Sequence, residues 1–233
     1  MKTKYVLPFI LVIVDTLVTV FKTQITVFQE MDAVMYRFRE FTSLGRMNSD
    51  RVGFMSCTFS MNVQQEYEKL MSNKKEHLWD TQLLAYANGE LPCHGRMNKK
   101  LVTDFDRIYA PVNLGDTHWI LICVNFQLRT VEVFDCYGKI DGKMTLLKSY
   151  KVVNVPMPSG LNKSHCDCGV YAVKHIECHL LNLPFDLIND DNIHEARHRL
   201  AIDLWEAASD PVLIERMKLF EPPQPSDEIV NLD

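Results

Sequence analysis

An α+β fold, with helices packed on a central and mostly antiparallel sheet, is the architecture this sequence predicts, and three observations carry that prediction. Apolar residues recur at helical spacing on both flanks of the chain. Between the flanks, residues 107–135 change to short apolar runs broken by turn residues, a meander of three strands. At Cys168 an apolar helical pattern begins directly at a cysteine, the stretch around which the rest is organised.

Composition narrows the classes of function first. A chain of 233 residues that is 47% hydrophobic and 24% charged can bury a full core and is expected to form one main domain of about 200 residues. The net charge is −5 and the basic runs are the pairs Lys74–Lys75 and Lys99–Lys100, which argues against nucleic acid as a partner. Seven cysteines, an odd number and scattered, do not resemble a disulfide framework, so a reducing compartment, nucleus or cytoplasm, is expected.

Residues 1–24 read as an apolar leader. Lys2 and Lys4 precede a run from Tyr5 to Val14 that continues past Asp15 to Phe21. Pro8 and Asp15 interrupt it, no A-x-A-like cleavage site precedes Gln24, and it is short and charged for a membrane span. A buried strand or a leader foreign to the domain is the favoured reading, and a signal or anchor the other; a membrane partner is not expected. Residues 25–220 form the expected domain, and residues 221–233, polar and proline-rich, a flexible tail.

Within the domain, Asp32 to Phe41 reads as an amphipathic helix. Val52 to Phe59 is apolar and fits either a strand or a core helix. Gln64 to Met71 and His77 to Ala87 read as helices, the second ending at Asn88 and Gly89, with a loop at Pro92 to Gly95. RIYAPVN, WILICVNF and TVEVFD then form the meander, and Val152 to Val155 a fourth strand closed by Pro156 and Pro158. From Gly169 onward Val170, Val173, Ile176 and Leu180 share a helical face with Lys174 and Glu177 between them, and Asp167 is the natural N-cap. Asn189, Asp190 and Asp191 supply caps for a last long helix whose Ile193, Ala196, Leu200, Leu204 and Ala208 share one face.

Cys168 is the candidate nucleophile. A thiol in the first turn of a helix faces the positive end of the macrodipole and unpaired N–H groups, and both favour the reactive thiolate. Gly169 leaves room for a substrate backbone to approach. Two plainer readings of this stretch are a buried structural thiol and a zinc site built from His165, Cys166, Cys168, His175, Cys178 and His179. The spacing of Cys166 and Cys168 is C-x-C rather than a zinc-type C-x₂₋₄-C, and Glu177 is one residue late for H-E-x-x-H, so no metal and no cofactor is expected. His118 begins the second strand and Asp135 ends the third, seventeen positions later. If those strands form a hairpin the two side chains meet, and a carboxylate on one ring nitrogen fixes the tautomer that lets the other take a proton from a thiol.

IYAPVN, then His118-Trp119, then Phe134-Asp135, then DCGVY from Asp167 to Tyr171, resembles in order the ubiquitin-like protein proteases, the SUMO-protease or Ulp-type cysteine peptidases related to adenovirus proteinase. The likeness is greatest to the plant, transposon-associated branch and runs from about Met31 to Met217. The resemblance implies a papain-like, adenain-like fold, with Cys168 as nucleophile, His118 as general base and then acid, and Asp135 orienting His118. It implies Trp119 beside a channel for a Gly-Gly tail, Asp32 at the substrate side, and Asn162 where such enzymes carry an oxyanion-hole glutamine, six residues before the nucleophile. It also implies a monomer whose partner is a ubiquitin-like modifier or its conjugates. Three departures stand out: Asn for Gln at residue 162, a QEMD motif without the channel tryptophan, and a short segment between Asp135 and Cys168. A degenerate domain that binds the modifier without cleaving it is the alternative.

Overall fold

The structure is a computed structural model that describes residues 28–47, 51–72, 80–91, 98–115, 117–138 and 150–219. The expected leader, the tail and the loop at residues 92–95 lie outside the described residues. Five strands, β1 (Val52–Phe54), β2 (Arg107–Leu114), β3 (His118–Asn125), β4 (Thr130–Phe134) and β5 (Lys151–Asn154), form one sheet in chain order. Six α-helices accompany them among the described residues: α1 (Phe28–Ser43), α2 (Cys57–Ser72), α3 (Thr81–Ala87), α4 (Cys168–Leu180), α5 (Ile193–Ser209) and α6 (Pro211–Lys218). No helix among the described residues is long and apolar enough to cross a membrane.

The meander is as expected: β2 pairs antiparallel with β3, and β3 with β4. Both short edge strands run parallel to their neighbours, β1 to β2 and β5 to β4, so the sheet is mixed, with its longer pairings antiparallel as expected. The apolar run at residues 52–59 divides between both readings, three residues of strand and then the start of α2. Alternation along β3 separates two cores. Trp119, Leu121 and Cys123 face the larger one with α1, α4 and α5, whereas Ile122 and Val124 pack with Ile108, Ala110, Phe105 and Tyr86 on the other.

Helix α4 is more buried than its pattern suggests. From Cys168 to Ile176 every residue is buried, including Lys174, whose ammonium reaches Glu177 at 2.8 Å. Packing on β3 on one side and against α5 on the other leaves it little solvent face. Helix α6, not anticipated in the sequence, starts at Pro211 after the Asp210 cap, whose carboxylate accepts from the Val212 and Leu213 N–H groups. Arg216 of α6 reaches the buried Glu40 of α1 at 2.6 Å and so ties the C-terminal helix to the first.

Asp32, expected at the substrate side, has a structural partner. Its Oδ1 accepts from the Cys57 N–H at 2.6 Å and so satisfies a free donor at the start of α2. Asp32→Ala should therefore lower stability by about 1–2 kcal/mol, read as a shift in urea midpoint at constant slope, while Asp32→Asn loses less. An Asp32→Ala protein with unchanged stability and raised KM would return this residue to the substrate side.

Candidate active site

The hairpin places His118 beside Asp135. Leu121 pairs with Phe134, so continuing the register brings the start of β3 alongside the residues just after β4. His118 Nε2 lies 2.8 Å from Asp135 Oδ1, and the same oxygen accepts from the Tyr137 N–H at 2.9 Å. Tyr137, two residues beyond Asp135, stacks on the imidazole with ring centroids 4.5 Å apart. The His118 ring is thus held at its edge by a carboxylate and on its face by an aromatic ring. Its Nδ1 is buried and makes no hydrogen bond of good geometry, yet Cys168 is close enough to act on its titration.

Helix α4 docks on β3 and brings Cys168, only 2% exposed, to this imidazole. Burial pushes the thiol up, but the hydrogen bond and charge of His118 and the backbone N–H groups of Trp119 and Gly169 outweigh it, and the net shift is downward. For His118, burial pulls down, while the hydrogen bond to Asp135, the nearby Cys168 sulfur and the charges of both raise it to about 9. Opposite shifts on contacting groups favour the thiolate–imidazolium pair. Gly169 therefore contributes a donor as well as the absence of a side chain.

The loop ahead of Cys168 is braced in ways its sequence does not announce. Asp190 accepts from the backbone N–H groups of Asn162 and Lys163 at 2.7 and 3.1 Å and from the Tyr171 hydroxyl at 2.6 Å. Asp167 is the N-cap residue of α4 but makes no side-chain capping bond, because its carboxylate is bound by Arg197 of α5 and by the Ser164 hydroxyl. Arg197 lies off the apolar face of α5, next to Ala196. Its guanidinium is largely buried, and the pairing across to Asp167 is a matter of tertiary geometry alone.

Asn162 departs from the oxyanion-donor expectation. The side chain is wholly buried. Its amide donates to the Tyr137 hydroxyl at 3.2 Å and toward the Cys136 sulfur at 3.7 Å, and its carbonyl accepts from the Asp167 N–H at 2.9 Å. With φ at +58° it turns the chain in the left-handed region that Asn tolerates. These contacts make it a brace between the loop and Tyr137, with both amide hydrogens already directed at protein.

Trp119 is buried and meets Phe28 edge-on at 5.3 Å. A cleft of about 280 Å³ opens beside them, lined by Cys57, Gln64, Pro111 and Asn113 among others. Phe28, at the first turn of α1, could not be singled out in the sequence, since only its contact with Trp119 gives it meaning. The Cys/His-rich run does not converge as a zinc site. Among the described residues, the triplets whose ligand atoms approach one another are His118 with Asp135 and Cys136, and Cys123 with Glu132 and His179. His175 instead is buried without a hydrogen-bond partner, packed edge-on against Phe185, and burial pulls it down to about 4.

Comparison with known proteins bears on this arrangement. The fold matches the C-terminal Ulp1 protease domain solved in complex with Smt3, the yeast ortholog of SUMO, with a TM-score of 0.53 at 15% identity over 78% of this chain and 77% of that one. It matches the Chaetomium thermophilum Ulp1-like SUMO protease catalytic domain with a TM-score of 0.52 at 16% identity, over 82% and 76% of the two chains. A third match, at 0.51 and 15% identity over 78% of each chain, is the SUMO protease Ulp1 with its catalytic cysteine oxidized to a sulfinic acid. A search of curated proteins finds no match. Residues 29–212 match the model of the Ulp1 protease family, C-terminal catalytic domain, a span that includes β1 to β5 and every residue of the site except Phe28, and the chain belongs to this family of cysteine-type peptidases.

Proposed function

We propose that this chain cleaves after the C-terminal Gly-Gly of a SUMO-like modifier, in precursors or in isopeptide conjugates, through a Cys168, His118 and Asp135 triad and a thioester acyl-enzyme. The observation that carries the reading is the meeting of Cys168, brought by α4, with the His118 ring at the start of β3, while Asp135 holds the ring's other edge at 2.8 Å; the downward shift of the thiol and the upward shift of the imidazole agree with it. Membership of a family of ubiquitin-like protein proteases, and the SUMO complex of one structural relative, support the substrate class.

In this mechanism the Cys168 thiolate attacks the carbonyl carbon of the terminal glycine, and the carbonyl oxygen takes up the negative charge. Main-chain N–H groups at the start of α4, which a helix leaves unpaired, are the donors placed to receive it. Collapse of the tetrahedral intermediate breaks the C–N bond as the His118 imidazolium gives its proton to the leaving amine. His118, now neutral, takes a proton from water, the hydroxide equivalent attacks the thioester, and the modifier leaves with a free carboxylate while the thiolate–imidazolium pair is restored. Asp135 keeps Nε2 engaged throughout, so Nδ1 does the proton transfers. The cleft beside Trp119 and Phe28 is the proposed path of the glycine tail, where the lack of a side chain lets the backbone lie against the rings.

Incubation with a panel of ubiquitin-like modifiers carrying C-terminal electrophiles tests the reading and separates it from a domain that binds without cleaving. A covalent adduct is expected with a SUMO-like member, abolished in Cys168→Ser and largely intact in Cys166→Ser. Equal loss in both, or reversible binding alone, would overturn it. His118→Ala should reduce turnover by about 10² or more, and Asp135→Asn by less, because it disturbs orientation and leaves the base in place. Wild-type turnover in His118→Ala would remove that residue from the reaction.

The pH profile follows from the same pair. His118 is protonated below its raised value and loses its proton as pH rises through about 9. The rate kcat/KM should therefore fall on the alkaline side near 9, and on the acid side only once pH drops below the lowered range of the Cys168 thiol. An alkaline limb near the ordinary histidine value of about 6.5 would mean that the ion pair does not form.

A further inference from the structure

The elements that carry the catalytic residues also carry a second cluster of ligand-type side chains. Cys123 lies on β3 directly opposite Glu132 on β4, and His179 lies in the last turn of α4 above them. One ligand atom from each falls within 4.8 Å of the other two. Cys123 is completely buried in the larger core, an unusual place for a thiol beside a carboxylate and an imidazole.

Two details distinguish this cluster from a chance meeting of polar groups. Glu132 Oε2 is buried and has no hydrogen-bond partner, although His179 Nε2 lies 3.5 Å away. A buried carboxylate oxygen left this way is costly unless something positive meets it. The His179 ring, moreover, is already oriented: its Nδ1 is bonded to the Tyr109 hydroxyl at 2.8 Å, which turns Nε2 to the cluster. Histidines that bind metals are held by their other nitrogen in this manner.

We infer that Cys123, Glu132 and His179 form a structural binding site for a divalent zinc-type cation, with Tyr109 as the outer partner of His179. Thiolate, imidazole and carboxylate are all zinc ligands, and bonds of about 2.0–2.3 Å place tetrahedral ligand atoms roughly 3.3–3.7 Å apart. His179 Nε2 and Glu132 Oε2, 3.5 Å apart, already stand at that spacing, and since no pair in the cluster is more than 4.8 Å apart a closure of at most about 1 Å suffices, which the Glu132 side chain can supply. A water as fourth ligand would complete the tetrahedral set. Arg107 is near enough to act on Cys123 and His179, and the two negative charges of thiolate and carboxylate exceed its one. The Cys168 thiol, the His118 ring and the Asp135 carboxylate lie at or just beyond one end of α4, β3 and β4, while the cluster draws one ligand from each of the same elements. A bound cation therefore locks the relative positions of the three catalytic groups without touching the reaction.

The test uses the full chain, freed of metal by chelation and titrated with Co²⁺ and then Zn²⁺. One Co²⁺ per chain should bind with a thiolate-to-cobalt charge-transfer band and a tetrahedral ligand-field spectrum, and Zn²⁺ should displace it. Glu132→Gln and His179→Gln should each weaken binding at least tenfold, and Tyr109→Phe about tenfold. Cys123→Ser should remove the charge-transfer band, whereas Cys168→Ser and Cys136→Ser should keep it. If Cys123→Ser does not fold, the two partly exposed ligands, Glu132 and His179, decide the matter. The inference is overturned by the absence of a stoichiometric cobalt site, by a band that survives Cys123→Ser, or by one lost in Cys136→Ser, which would move the metal to His118, Asp135 and Cys136.

Discussion

Burial of Cys168 is the constraint from which the rest of the site follows. Desolvation favours the neutral form of a thiol in a residue only 2% exposed, against the net downward shift of Cys168. The protein reverses this with one imidazole and two backbone N–H groups; the imidazole and the Trp119 N–H reach the sulfur only because α4 is seated on β3, while the Gly169 N–H comes with the helix itself. Any loosening of that contact leaves the buried thiol and removes its compensation. The near-complete burial of α4, down to Lys174, is consistent with a helix that has to stay in place.

The imidazole is itself controlled from the strand side. Hairpin register brings Asp135 and Tyr137 to the ring, one holding an edge and the other a face. A slip of one residue in β3–β4 would turn every side chain to the opposite face and dissolve this site together with the core. The geometry around His118 and hydrophobic packing thus share one determinant, the register of the β3–β4 hairpin.

The loop from residue 159 to Asp167 is held by a different kind of force. It contains little apolar surface, and Asp190, Arg197 and Tyr137 bind its backbone and polar side chains. Asn162 belongs to this bracing, between Tyr137 on one side and the Asp167 N–H on the other, so the ring over His118 and the loop ahead of Cys168 are joined through one buried amide. A glutamine at that position would reach one methylene further; Asn162, in a left-handed turn, stays with the loop.

By itself the sequence determined the α+β class, the three-strand meander, the helix that opens at Cys168 and the pairing of His118 with Asp135. All of these rest on local periodicity, turn chemistry or hairpin register, which a chain carries within a few residues. Tertiary structure alone decided the parallel edges of the sheet, because β1 meets β2 and β5 meets β4 only through long connections. It also decided the polar assignments: Asp167 looks like a cap and binds Arg197, Asp32 looks like a substrate contact and holds α2, and Asn162 looks like an oxyanion donor and braces a loop. A short polar side chain bonds whichever group the fold brings within about 3 Å, and that partner lies here 5 to 30 residues away, beyond any local pattern.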